Sequence, residues 1–331
     1  MKAMVLERAG ARAESALRPA SLPDPRPLAG DLLLKIEACG VCRTDLHIID
    51  GEIPPHKSPL VLGHQVVGRI LKMGRKVAGF KPGQRVGVPW LYHACGKCDK
   101  CLSGRENLCG RARFTGYDVD GGYAEKMAVP AAFAHPLPRN LSPLEAAPLL
   151  CAGAIGYRAW IKSGTAAGGR LGLYGFGASA HLVLQAARHR GCDVYVFSRG
   201  AKHRKLALDL GAAWAGEPGD RPPRPLDGAI IFAPAGPLAP LALEALDKGG
   251  RLVLAGIFMS PIPKMKYRLL YEERRIETVA HVTRKDVSEF LALASKIQIH
   301  PKVEVFPLEE APSALKKIRD SSLQGSAVLM C

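Results

Sequence analysis

Four cysteines, Cys95, Cys98, Cys101 and Cys109, crowd one short segment (CGKCDKCLSGRENLC) with the spacing C-x2-C-x2-C-x7-C. Thiolates packed that densely, in a segment punctuated by Gly and Lys, have few uses other than holding a metal. Zinc takes four tetrahedral ligands at about 2.3 Å from each sulfur, and a loop that doubles back every third residue supplies them. Four thiolates close the coordination sphere, so such a site is structural. The spacing predicts a zinc lobe over about residues 93–112 and leaves the chemistry to be found elsewhere.

At 331 residues the chain has room for two domains, each with its own core. Its first ~140 residues read as β-rich and loop-rich, with short alternating runs such as LLLKIEA (32–38), VVGRIL (66–71) and RVGVPWL (85–91) between Gly and Pro turns. The pattern changes at Ser142-Pro143-Leu144-Glu145, a capping box with Pro at the first helical position, which predicts a helix through AAPLLCAG. From about residue 150 strands and helices alternate: RLGLYG (170–175), ASAHLVLQAARHRG, DVYVFS (193–198), KHRKLALDLG, DGAIIFAP (227–234) and RLVLAGI (251–257). That alternation predicts a parallel sheet with helices on both faces.

No apolar run approaches the ~20 residues that span a bilayer, and the N-terminus has no continuous apolar segment of a secretory signal. The expectation is a cytoplasmic protein with no membrane partner. There, nine cysteines read as metal ligands and free thiols rather than disulfides. The net charge of +16 is dispersed singly or in short groups (KHRK at 202–205, EERR at 272–275). Dispersal argues against a nucleic-acid surface, while phosphorylated small ligands profit from the field.

RLGLYG ends in Gly175-Phe176-Gly177-Ala178-Ser179-Ala180, a dinucleotide-binding turn of the G-x-G-x-x-A form. Gly175 permits the tight turn, Gly177 lets a pyrophosphate approach the backbone, the small Ala180 allows close helix–strand packing, and the helix beginning near Ala178 offers free N–H groups to the phosphates. An acidic residue at the end of the next strand would hold the ribose hydroxyls of NAD. This chain has Ser198 and Arg199 there, with Arg204 following, and a hydroxyl beside a guanidinium suits a 2′-phosphate. NADP(H) is the expected cofactor and NAD(H) the alternative; the other reading of Arg199 is a solvated loop charge.

GVCRTDLH (40–47), the GHQ segment at Gly63-His64-Gln65, the four-cysteine lobe, DGGYAE, LLCAG with Cys151, and the nucleotide turn follow one another along the chain. In this order the chain resembles the zinc-dependent alcohol dehydrogenases of the medium-chain dehydrogenase/reductase family, over essentially its whole length. The resemblance implies an α/β fold, with a GroES-like β-rich catalytic domain (1–147 and 286–331) and a Rossmann doubly wound parallel sheet (148–285). It implies a second, catalytic zinc held by Cys42, His64 and Cys151, making two zinc ions per chain. Thr44 would hydrogen-bond the alcohol oxygen and pass its proton through the cofactor ribose to His47 near solvent. Asp45 would orient His64, and Arg43 would reach the cofactor pyrophosphate. Ile53 and Trp90 would line the substrate pocket, where yeast-type members carry Trp at the position of Ile53, so longer or branched alcohols are expected. A homodimer or homotetramer is implied, built through the VLAGI strand and the KYRLLYEERR segment.

Three departures stand out. Gln65 replaces the family's usual Glu after the zinc-binding His. Ser326 stands where many members place a pyrophosphate-binding Arg, and AIGY follows LLCAG in place of V-T-T-Y. An oxidoreductase of this fold, or a cofactor-binding protein with weak or no alcohol turnover, is the rival reading. His93, His135, His181, His189 and His281 read as structural or solvated.

Overall fold

A computed structural model of the chain describes residues 1–10 and 16–331. These form two compact units: Met1–Cys151 with His281–Ser295 and Pro301–Cys331, and Ala152–Ala280 with Lys296–His300.

The first unit is built on a seven-stranded sheet whose centre is the strand Asp31–Val41. Alternation places Leu32, Leu34 and Ile36 in the core, at most 1% exposed, while Lys35 faces out. Its neighbours are Val66–Met73 on one side and Ser326–Met330 on the other, both antiparallel to it. Ser326–Met330 pairs in turn with Val303–Pro307 in parallel. The strand ends at Val41, and the helix Arg43–Ile49 follows, with Cys42 between them as its N-cap.

In the second unit six strands run parallel in the order Trp214–Gly216, Asp193–Phe197, Arg170–Tyr174, Leu226–Ile231, Leu246–Leu254, Arg275–Thr278. Numbered along the chain this is 3-2-1-4-5-6, the order of a doubly wound dinucleotide-binding sheet. Its strands are near-continuous apolar runs because both faces are covered: Leu171, Leu173, Val194, Val196, Ile230 and Ile231 are fully buried.

The capping box at Ser142 forms: its Oγ accepts from Glu145 N–H at 3.3 Å, and Glu145 accepts from Ser142 N–H at 3.0 Å. The helix it starts, Pro143–Pro148, does not run on unbroken through LLCAG. Leu149–Gly153 is a π turn, and the α-helix resumes at Ala154–Ser163. Pro148 supplies the cause, since it lacks an N–H and its ring crowds the carbonyl one turn back. The widened turn carries Cys151.

Candidate active site

Cys42, His64 and Cys151 converge in the first unit, their ligand atoms all within 4.8 Å of one another. Each arrives by a different local device: Cys42 caps the helix that follows the central strand, Cys151 sits in the π turn, and His64 follows Gly63. Gly63 holds φ at 95°, and a Cβ there would lie 2.4 Å from the Tyr123 ring. No other residue lets the chain turn under Tyr123 and aim His64 inward.

Asp45 is fully buried behind this trio. Its carboxylate accepts from Cys42 N–H at 2.8 Å and from the Tyr123 hydroxyl at 3.0 Å, and its Oδ1 lies 3.3 Å from His64 Nδ1. Nδ1 is thereby turned to Asp45, which leaves Nε2 of this buried ring without a hydrogen-bond partner among the described residues. A metal ligand looks like this: one nitrogen oriented by a carboxylate, the other free for the ion. Without an ion, the charges of the site act on one another. Burial works against a charged His64, yet the Asp45 charge and hydrogen bond, with Cys42, push it up to about 10. The Cys42 thiol is held well below its ordinary value by the hydrogen bond from Cys151, against burial and with help from His64. Cys151 is pushed up in exchange, by that same bond and by burial. Once deprotonated, two thiolates with one imidazole are a zinc donor set that leaves a fourth position open.

The lobe cysteines fit a closed zinc site. Sγ–Sγ separations are 3.6 Å for Cys98–Cys101 and 4.0 Å for Cys95–Cys101, and all four sulfurs lie within 4.8 Å. A tetrahedron with metal–sulfur bonds of about 2.3 Å has edges of about 3.8 Å. Cys109 Sγ accepts from the N–H groups of Cys95 (3.5 Å) and Arg111 (3.3 Å). N–H groups of Lys97 and Cys98 bring the Cys95 thiol down to about 6 against its desolvation. Glu106, in the same lobe, accepts from the backbone N–H, Nε and Nη2 of Arg284 at 2.6–3.0 Å.

Thr44 Oγ1 lies 3.6 Å from Cys42 Sγ. His47, expected near solvent, is instead buried at 8% exposure, because the helix turns it inward, and its Nδ1 pairs with Glu52. Glu52, whose side chain is 37% exposed, is a residue that the motif reading passed over. Arg43 is exposed and gives Nη1 to the Ile318 carbonyl at 3.2 Å, so in this conformation the guanidinium is engaged locally. Ile53 is half-buried against the core of the first unit. Trp90, 5% exposed, stands edge-on to His64 with ring centres 4.9 Å apart. Gln65 is buried with its amide against Gly40, where a Cβ would come within 2.9 Å. Ser326 is a buried strand residue whose hydroxyl has no partner among the described residues.

In the second unit Gly175 holds φ at 88°, and a Cβ there would meet Ala233 N at 3.0 Å. Gly177 is the N-cap of the helix Ala178–His189, whose first-turn N–H groups point out of the sheet's carboxyl edge. Ser198 is buried and Arg199 exposed at the end of the second strand. Arg204 does not point outward beside them. Its Nη1 donates to the carbonyls of Ser198 (2.7 Å) and Arg199 (2.9 Å) and lies 3.2 Å from Glu217, so it braces the loop.

Asp45→Asn keeps the shape behind His64 and removes the charge. Zinc affinity at the three-ligand site is expected to fall 10–100-fold, read by competition with a chromophoric chelator. Unchanged affinity would deny Asp45 its orienting role.

Residues 28–139 match the family model described as alcohol dehydrogenase GroES-like domain, and residues 180–296 match that of zinc-binding dehydrogenase. The chain is 47% identical over 336 residues to "Probable alcohol dehydrogenase AdhA" of Mycobacterium tuberculosis, covering 100% of this chain and 97% of that protein. A solved cinnamyl alcohol dehydrogenase from Sorghum bicolor superposes with a TM-score of 0.91 at 27% identity, covering 99% of this chain and 97% of that one. A Sinorhizobium meliloti structure bound to NADP gives a TM-score of 0.89 at 27% identity, covering 100% and 99%.

Proposed function

The chain belongs to the zinc-binding alcohol dehydrogenases, and from that premise we propose that it interconverts primary or secondary alcohols and their carbonyl compounds with NADP(H), using two zinc ions per chain. The observation that carries the zinc chemistry is the meeting of Cys42, His64 and Cys151, from three distant segments, with no fourth His, Cys, Asp or Glu ligand grouped with them among the described residues. Zinc held there by Cys42, His64 and Cys151 would supply Lewis-acid polarisation of the substrate oxygen, and a bound nicotinamide cofactor would supply the hydride chemistry. Cys95, Cys98, Cys101 and Cys109 hold the second, structural ion.

Thr44, whose Oγ1 lies 3.6 Å from Cys42 Sγ, receives the hydroxyl proton. His47, one helical turn further on, takes the proton onward, and Glu52 beside it extends the path to the surface. Arg43, Gly175, Gly177 and Ala178 hold the cofactor phosphates. Ser198 and Arg199 select the 2′-phosphate. Arg199 makes no ion pair among the described residues, and the strand before it ends without a carboxylate. Ile53 and Trp90 bound the substrate. Exposed Ile257, Phe258, Ile262, Tyr267 and Tyr271 on the second unit support assembly as a homodimer or homotetramer. Thiolate ligands and nine unbridged cysteines suit the reducing cytoplasm.

Steady-state assays with NADP+ and NAD+ across a panel of linear and branched alcohols, on protein whose zinc has been quantified, test this reading. Two zinc ions per chain and a higher kcat/KM with NADP+ are expected. Arg199→Asp should lower the NADP+ preference at least about tenfold, the worth of one charge-assisted contact to phosphate. Zinc-loaded protein that reduces neither cofactor would end the enzyme reading, and faster turnover with NAD+ would reverse the cofactor choice.

A further inference from the structure

His281 is 191 residues from Trp90 in sequence, yet its Nδ1 accepts the indole N–H at 2.9 Å. The same imidazole lies within 23° of the indole plane, with 6.2 Å between centres, and packs on Phe114 (4.4 Å). Phe114 also stacks on the Trp90 ring, 5.2 Å between centres. Trp90 is thus gripped by its one polar atom and by its face, while its edge meets His64. Burial lowers His281 to about 4, so at neutral pH the ring is uncharged and Nδ1 is an acceptor.

The backbone at this position is unusual. His281 holds φ at 58°, a conformation that costs about 1–2 kcal/mol for an ordinary side chain. Neighbouring contacts hold it there. Thr283 and Asp286 cap the helix Arg284–Ile297, with Asp286 Oδ2 accepting from Thr283 N–H at 2.7 Å. Arg284 is clamped by Glu106 of the zinc lobe and lies over the Phe133 ring at 4.8 Å. The strained residue is therefore pinned three positions from an anchor that belongs to the lobe.

We infer that His281 is a positioning residue for alcohol selection, fixing through its Nδ1 the orientation of the Trp90 wall of the substrate pocket. The inference rests on the reading of Trp90 as a pocket residue given under Proposed function. It assigns to His281 no contact with substrate, only control of how much room the indole leaves beside His64.

Two substitutions that both accept a positive φ separate this role from packing. His281→Gly removes the acceptor. His281→Asn restores it, because Asn Oδ1 is bonded to Cγ as the histidine Nδ1 is. In H281G the ratio of kcat/KM for a branched over a linear alcohol is expected to shift at least about fivefold, the net worth of one hydrogen bond. The shift should be carried by KM, with kcat and zinc content near wild type. H281N should return the ratio to within about twofold. The emission of Trp90, isolated as the difference between wild type and Trp90→Phe, should change in H281G and recover in H281N. A wild-type ratio and emission in H281G would overturn the inference, as would an H281N protein indistinguishable from H281G. If the wild type oxidised no alcohol, the function proposed above would fall, and the Trp90 emission series would still decide the role of His281.

Discussion

Cys42→Ser is expected to lower kcat/KM for alcohol oxidation by at least about a thousandfold, with the protein still folded and its thermal midpoint within a few degrees of wild type. The size follows from what the open site contributes: Lewis-acid stabilisation of developing charge is worth several kcal/mol, and each 1.4 kcal/mol is tenfold in rate. The small change in stability follows from position. Cys42 is the N-cap of Arg43–Ile49, and Ser is among the best N-cap residues, so its hydroxyl serves the helix that the thiol only begins. Asp45 still accepts from the backbone N–H of residue 42. Metal analysis should read one zinc per chain instead of two. Retention of turnover at a tenth of the wild-type rate or more would remove Cys42 from the ligand set.

Cys95→Ser should show the opposite balance: a loss of stability of at least about 4 kcal/mol by denaturant titration, with chemistry impaired only as far as the fold is. The lobe has little else to hold it. Its core is Leu91, Ala94, Cys109 and Phe133, with the other three cysteines packed on the edge. Without the ion, thiols 3.6–4.0 Å apart lose the reason for their spacing, and Glu106 loses the frame from which it clamps Arg284. A folded Cys95→Ser protein with one zinc and a wild-type midpoint would show that the lobe is held by its side chains alone. Together the two variants separate an ion that works from an ion that holds.

Much of this was legible in the residues because it is local or ordered. The C-x2-C-x2-C-x7-C run needs no partner from elsewhere, and strand–helix alternation announces a parallel sheet. Cys42, His64 and Cys151 are each unremarkable alone and became readable only through the order of the motifs around them. What escaped depends on pairings across long stretches of chain. Nothing near His281 distinguishes it from a surface histidine, since its positive φ and its bond to Trp90 arise from packing 191 residues away. The resemblance implies His47 near solvent, but the helix Arg43–Ile49 turns it inward, where Glu52 pairs with it, and no local pattern in the sequence announces that pairing. Arg204 shares the basic cluster with Arg199, yet three acceptors on its own loop and at Glu217 claim it. The π turn did leave a trace, in Pro148, which a helix prediction through LLCAG should have weighed as a breaker.

The central strand Asp31–Val41 has as its neighbour Ser326–Met330, so the sheet that delivers Cys42 is stitched from both sides of a complete nucleotide-binding unit in the chain. A ribosome has made all three ligands of the open site by residue 151, but the strand that steadies the first of them emerges only after the whole of Ala152–Ala280. The nucleotide-binding unit is free to fold first and wait. A zinc ion at Cys42, His64 and Cys151 would therefore rest on a sheet whose last strand is made late, whereas the four cysteines of the lobe are contiguous in the chain.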